Sequence, residues 1–132
     1  MAKKIEERLQ TAVSNYIKLQ YPNVIFTSES SGLRVPMYLA VQMKKQRSNH
    51  KLPDLIILEP RGVYNGLIIE LKKDTKSLLK KNGDYKKSEH IEKQLKTLKL
   101  LSSKGYLATF SCGFDATKKL IDEYMSYKNY SL

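Results

Sequence analysis

The chain has one cysteine, Cys112, so no intrachain disulfide can form. With His50 and His90 as the only histidines beside it, the ligands for a Cys/His zinc site are too few. Long apolar runs are missing too. The longest, such as Leu55-Ile56-Ile57-Leu58, stop at four residues, where a membrane span needs roughly 20. The opening Met1-Ala2-Lys3-Lys4-Ile5-Glu6-Glu7 has none of the apolar core of a signal peptide. The expectation is therefore a cytoplasmic protein with no membrane association. No Gly-x-x-x-x-Gly-Lys-Ser/Thr loop is present for nucleotide binding and no serine has a nucleophile-elbow context. Cys112 has no activating histidine in sight. An RNA-binding module finds no support either, for want of an aromatic RNP-like strand or a Gly-x-x-Gly loop.

Acidic residues are scarce. Thirteen Asp and Glu stand against 24 Lys and Arg, mostly Lys, for a net charge of +11. Such a surplus in a small chain points to a polyanionic partner, with nucleic acid first, although it can also serve solubility alone. Length (132 residues) and a 41% hydrophobic share describe one globular domain, residues 1–132, with a real core.

Ile5, Leu9, Val13, Tyr16 and Ile17 recur at helical spacing and predict a helix over 4–20, stopped by Tyr21-Pro22. Residues 24–27 read as a short strand, followed by a polar loop from Ser28 to Gly32, and 37–46 as a second helix with Met37, Tyr38 and Val41 on one side. Two strands follow at 54–59 and 67–72, joined by a turn over 60–66 and apolar enough to lie covered on both faces. A Lys-rich loop over 73–87 precedes a helix over 88–103, closed by Gly105. The last elements are a strand over 106–111 and a terminal helix capped by Asp115. The order gives an α/β sandwich of mixed sheet and flanking helices.

The chemistry concentrates in Pro53-Asp54 and Glu70-Leu71-Lys72. A hairpin centred on Gly62 sets Asp54 opposite Glu70, and strand alternation places Lys72 on the face of Glu70. A tight turn at Asn65-Gly66 competes and would set Asp54 across from Ser77 instead; the longer turn matches two apolar strands of similar length. Two facing carboxylates repel, and a hard divalent cation, Mg²⁺ or Mn²⁺, would relieve them. Such an ion acidifies water and stabilises charge on a phosphodiester, with Lys72 beside it to orient that water. The competing reading makes Asp54 a cap at the start of its strand and Glu70–Lys72 a structural ion pair.

Pro53-Asp54, a gap, and Glu70-Leu71-Lys72 between apolar strands resemble the signature of the PD-(D/E)XK nuclease superfamily. The run from Gly66 to Lys72, then Gln94, Leu101, Gly105 and Tyr106, and finally Gly113-Phe114-Asp115-Ala116 opening a helix, is similar to its VRR-NUC branch over Glu6 to Tyr124. Two departures are the glycine-free approach Asn49-His50-Lys51-Leu52 and a long 73–88 segment. The resemblance implies a restriction-endonuclease-like α/β sandwich and a Mg²⁺-dependent DNA endonuclease. Asp54, Glu70 and the Leu71 carbonyl would be metal ligands and Lys72 the catalytic lysine, with no organic cofactor. It also implies a stand-alone phage-type homodimer cutting branched DNA, such as four-way junctions or flaps, in a bacterial or phage-infected cell, with roles in repair and recombination. The alternative is a basic DNA-binding protein on the same fold that does not cut.

Two helical residues join this scheme. Glu6 falls on the apolar arc of the first helix and is a candidate accessory ligand, or else an edge residue reaching water. Gln94 lies within the Ile91/Leu95/Leu98/Leu101 arc, where the family pattern places a glutamine near the reacting atoms; otherwise it bonds backbone. Lys44, Lys45, Arg47 and Lys51 before the motif and Lys73, Lys76, Lys80, Lys81, Lys86 and Lys87 after it would form a phosphate-binding rim, although each alone can be a solvated charge. His90 is a solvated helix-start residue or a group approaching DNA. Relatives have a DNA-facing polar loop where Ser30, Ser31 and Gly32 stand.

Overall fold

The computed structural model describes residues 2–29 and 35–129; Ser30, Ser31 and Gly32 lie outside them. Helix α1 spans Ala2–Gln20, strand β1 Phe26–Ser28, helix α2 Met37–Lys45, and strands β2 and β3 Leu55–Ile57 and Leu67–Lys72. Helix α3 (Glu89–Ser103), strand β4 (Leu107–Cys112) and helix α4 (Phe114–Ser126) complete the order. The four strands lie side by side in the order β1-β2-β3-β4. The first two pairings are antiparallel and β3–β4 is parallel. This is the α/β fold with a mixed sheet expected from the sequence, and the helix α3 between β3 and β4 is the crossover that a parallel pair requires.

All six residues of β3 are buried, as two-sided cover demands. On one face Leu67, Ile69 and Leu71 join Leu55 and Ile57 of β2, and α1 (Val13, Ile17) and α4 (Ile121, Tyr124) close over them as the main core. Ile68, Glu70 and Lys72 alternate to the opposite face. There α3 contributes the buried Ile91 and Leu98. Strand alternation thus splits an almost uniformly apolar hexapeptide into a core face and a site face.

The β2–β3 register pairs Leu55 with Ile69, Ile56 with Ile68 and Ile57 with Leu67. The long turn is therefore the observed one, with Gly62 at φ 56° and an Arg61–Tyr64 bridge inside it. Asn65 and Gly66 do not turn the chain. The Asn65 side chain bonds the Lys104 carbonyl at 3.0 Å, against Gly105, whose φ of 94° ends α3 as expected.

Several boundaries differ from those the sequence suggests. Strand β1 is displaced to 26–28 and β2 spans only Leu55–Ile57, with Leu58 exposed. The register with β1 nevertheless carries on at both ends, through Glu29 N to the Asp54 carbonyl and Leu58 N to the Ile25 carbonyl, 2.8 Å each. The cap of α4 is Gly113 rather than Asp115. The Gly113 N–H is held by the Lys72 carbonyl at 2.8 Å, so the chain turns there at φ 83° and Asp115 falls inside the first helical turn. Residues 73–87 are more than an open loop. Asp74 caps a 3-10 turn at Thr75–Ser77, Leu78 is buried, Leu79 bridges to Tyr85, and the Tyr85 ring packs 5.8 Å from Phe110. Helix α2 buries none of its residues, and Met37, Tyr38 and Val41 stand exposed, with no layer among the described residues covering it. Among the described residues no helix is long and apolar enough to cross a membrane.

Helices α1 and α4 are locked by one carboxylate. Asp122 accepts hydrogen bonds from Tyr16 (2.5 Å) and Tyr21 (2.7 Å) on one oxygen and from Lys118 (3.0 Å) on the other. Burial alone would raise the Asp122 carboxyl, but these donors outweigh it and hold it below its ordinary value. The stabilisation is thus present above the unfolded carboxylate pKa of about 3.9 and is lost as pH falls through the lower native value. Asp122→Asn, which keeps an acceptor oxygen but not the charge, is expected to lose about 1 kcal/mol at pH 7. It should also be less sensitive to acid than the parent between pH 5 and 2, as read from urea midpoints across that range.

Candidate active site

The site forms where the β2–β3 ladder ends. One step beyond the Leu55–Ile69 pair, the register sets Asp54 opposite Glu70. Asp54 Oδ2 accepts the Leu71 N–H at 2.8 Å, replacing the strand that stops there. In β3 the Lys72 carbonyl faces β4, where it accepts from Gly113 N. Alternation therefore turns both backbone groups of Leu71 toward the Asp54 edge, where its carbonyl was expected to serve.

Glu70 is 7% exposed. Burial, a hydrogen bond with Asp54 and the Asp54 charge together push its carboxyl up to about 9, against the opposing pull of Lys72 and Lys51. Glu70 thus keeps its proton at neutral pH, as a buried carboxyl beside a second one does. Lys72, 9% exposed, donates from Nζ to Gln94 Oε1 at 2.8 Å and lies 5.7 Å from the centre of the Phe110 ring. This bond replaces the Glu70–Lys72 structural pair of the competing reading: among the described ion pairs Lys72 has none. Its ammonium is held by an amide and an aromatic face, with two protons left to donate.

Asp54, Glu70, Lys72 and Gln94 are therefore brought together. Glu6 is not one of a cage: among the described residues no group of three Asp, Glu, His or Cys is placed to hold a metal ion. Glu6 is exposed rather than core-facing, for a reason visible along α1. Ser14 bonds Ser28 (2.8 Å) and Gln10 bonds the carbonyls of Glu29 and Asp54 (3.0 Å each), so α1 meets the sheet end one turn C-terminal to Glu6, which lies beyond it. Glu6 overhangs the rim near His90, in the first turn of α3. His90 is lowered by burial and by the charges of Lys72 and Lys51, with Glu6 and Asp54 pulling the other way. It borders the same opening.

The basic residues divide. Lys44, Lys45, Lys51, Lys73 and Lys76 are exposed, as a rim requires, and Lys51 acts on both Glu70 and His90. Arg47 is instead engaged by Glu29 at 2.8 Å. Cys112 is pushed up by burial and by Asp74, despite Lys72, which disfavours a thiolate. Sequence reasoning missed Phe110, Tyr85 and Gln10. Phe110 is one more aromatic in an alternating strand, and Gln10 is a common polar residue on a helix with no local motif to mark it.

The donor set fits one hard cation. Two carboxyl groups in contact and a backbone carbonyl on the same edge are oxygen ligands that leave room for water, the set Mg²⁺ or Mn²⁺ takes. The proton that burial keeps on Glu70 is what such an ion would displace.

A mixed-sheet α/β sandwich with Asp, Glu and Lys at the end of two central strands defines a nuclease-like domain. No protein-family model matches the chain, and no curated protein matches it. A solved structure described as "VRR_NUC domain protein" is similar at a TM-score of 0.64 and 26% identity, covering 94% of this chain and 90% of that one. The VRR-NUC resemblance carried by the motifs extends through the fold over nearly the whole chain.

The raised Glu70 carboxyl makes a metal-free prediction. Native Glu70 keeps its proton to about pH 9, whereas the unfolded group loses it near 4.5. Its contribution to stability is therefore full below pH 4.5 and is lost as pH rises toward 9. In EDTA, urea unfolding at pH 5 and pH 9 should show a larger loss for the parent than for Glu70→Gln, by about 1–3 kcal/mol.

Proposed function

We propose that this protein is a Mg²⁺-dependent endodeoxyribonuclease that hydrolyses phosphodiester bonds. The observation that carries the reading is the apposition of the half-buried Asp54 carboxylate and the buried Glu70 carboxyl, beside a lysine whose ammonium is held by Gln94. Asp54, Glu70 and the Leu71 carbonyl would hold the ion, and Mn²⁺ would substitute. When bound, the ion supplies charge against the phosphodiester and acidity to water.

The chain's own groups do the rest. Lys72 presents its remaining N–H donors to the attacking water or to a non-bridging phosphate oxygen, where charge develops. With its oxygen committed to Lys72, Gln94 leaves its amide N–H groups to a phosphate. The Phe110 face under Lys72 restricts that side chain to one position. Lys44, Lys45, Lys51, Lys73 and Lys76 neutralise flanking phosphates without reading the sequence.

The substrate in this reading is branched DNA, a four-way junction or flap, cut by a homodimer in the cytoplasm of a bacterial or phage-infected cell during repair or recombination. Two sites related by a twofold axis suit paired cuts across a junction, and the exposed apolar side of α2 is a surface such a dimer would cover.

A panel of labelled junction, flap, duplex and single-stranded DNAs, incubated with Mg²⁺ or Mn²⁺, tests this. Cleavage should be greatest on the branched forms and stop in EDTA. Asp54→Ala, Glu70→Ala and Lys72→Ala should each lower the rate about 100-fold or more, while Lys72→Ala still binds the DNA. Parent-like cutting by Lys72→Ala would refute the mechanism. Tight junction binding with no nicking under any metal would replace it with the non-cutting DNA-binding protein.

A further inference from the structure

The Gln10 side chain spends both amide protons on backbone. Nε2 donates to the carbonyl of Glu29 and to the carbonyl of Asp54, each at 3.0 Å. The Asp54 carbonyl also accepts Glu29 N at 2.8 Å, so one amide closes a three-way junction between α1, the end of β1 and the residue at the start of β2. Glu29 is fixed from its other end as well, by Arg47 at 2.8 Å with the Glu29 side chain only 10% exposed. Position 54 lies just before β2, which begins at Leu55, and the Glu29 N bond to its carbonyl carries the β1–β2 register one pair further. No inter-strand pair holds its backbone to β3; only its side chain reaches across, to Leu71 N. The orientation of the Asp54 carboxylate toward Glu70 therefore depends on what grips its backbone from behind.

We infer that Gln10 is a positioning residue of the site, setting the Asp54 backbone so that its carboxylate faces Glu70 and holding α1 so that Glu6 overhangs the same rim. This rests on the metal-dependent reading above and adds to it a residue that touches neither substrate nor metal. Outer partners of this kind set the orientation of a ligand, and their loss typically weakens metal binding about 10- to 100-fold. The next tie along α1, Ser14 to Ser28 at 2.8 Å, fastens the same helix to the same strand without touching Asp54, and so provides the control.

The test is a Mn²⁺ titration followed by electron paramagnetic resonance, without DNA, on the parent, Gln10→Met, Gln10→Asn and Ser14→Ala. Circular dichroism and thermal melts establish that each is folded. Gln10→Met keeps the length and loses both donors; Gln10→Asn keeps an amide too short to reach both carbonyls, and serves if the first variant does not fold. The expected result is Mn²⁺ binding about 10-fold weaker in the Gln10 variants and parent-like in Ser14→Ala. Parent-like binding in the folded Gln10 variants, or equal weakening in Ser14→Ala, overturns the role of Gln10 and leaves the nuclease reading standing. A parent protein that binds no Mn²⁺ overturns that reading and this inference with it.

Discussion

Everything chemical in this fold depends on two carboxyl groups being forced into contact by strand register. The pairing of Leu55 with Ile69 and Ile57 with Leu67 is fixed by core packing, because a slip of one residue would turn the buried set of β2 and β3 to the wrong face. Once the apolar residues have chosen that register, Asp54 and Glu70 have no freedom to avoid each other. Electrostatics alone would separate them. Without a cation, burial first and then the Asp54 carboxyl beside it push Glu70 up to about 9.

A destabilising contact of this kind survives because its surroundings are built independently of it. The main core lies on the other face of the sheet, where Val13, Ile17, Ile121 and Tyr124 cover β2 and β3. The Asp122 lock joins α1 to α4 through Tyr16 and Tyr21, away from the Gln10 turn that reaches Asp54. On the site face, α3 and the 78–86 turn supply few buried groups: Ile91, Leu98 and Leu78. That thinner cover leaves Lys72 and Gln94 at an opening instead of sealed inside, with Tyr85 and Phe110 as a wall beneath the ammonium.

Legibility in the sequence followed how local each cause was. The α/β order, the two central strands and the Asp54–Glu70 apposition were readable, since apolar periodicity and turn chemistry act over a few residues. The Glu70-x-Lys72 alternation was readable for the same reason. What could not be read came from contacts distant in the chain. Gly113 takes the cap of α4 from Asp115 because a β3 carbonyl, 41 residues earlier by numbering (113 minus 72), captures its N–H. Glu6 sits on an apolar arc by helical wheel, but the wheel does not say that the sheet has ended beneath it. Likewise Met37, Tyr38 and Val41 satisfy a helical stripe, yet periodicity carries no information on whether anything covers the stripe. Nor does a run of cations before Pro53 say that one of them, Arg47, pairs with Glu29 at 2.8 Å.

That last exchange bears on how a chain with so large a positive surplus can still build a defined site. Of the cations near the motif, the arginine serves architecture, bidentate-capable and rigid, against a nearly buried Glu29. The exposed lysines remain as mobile point charges, suited to attracting a phosphate backbone without specifying where it docks. Specification then falls to the fixed groups: the carboxyl pair, the Lys72 ammonium held between Gln94 and Phe110, and the backbone at Asp54 gripped from α1. A general attraction and a local geometry are thus carried by different residues. Either can change without the other, because the lysines contribute nothing to the register and the register owes nothing to net charge.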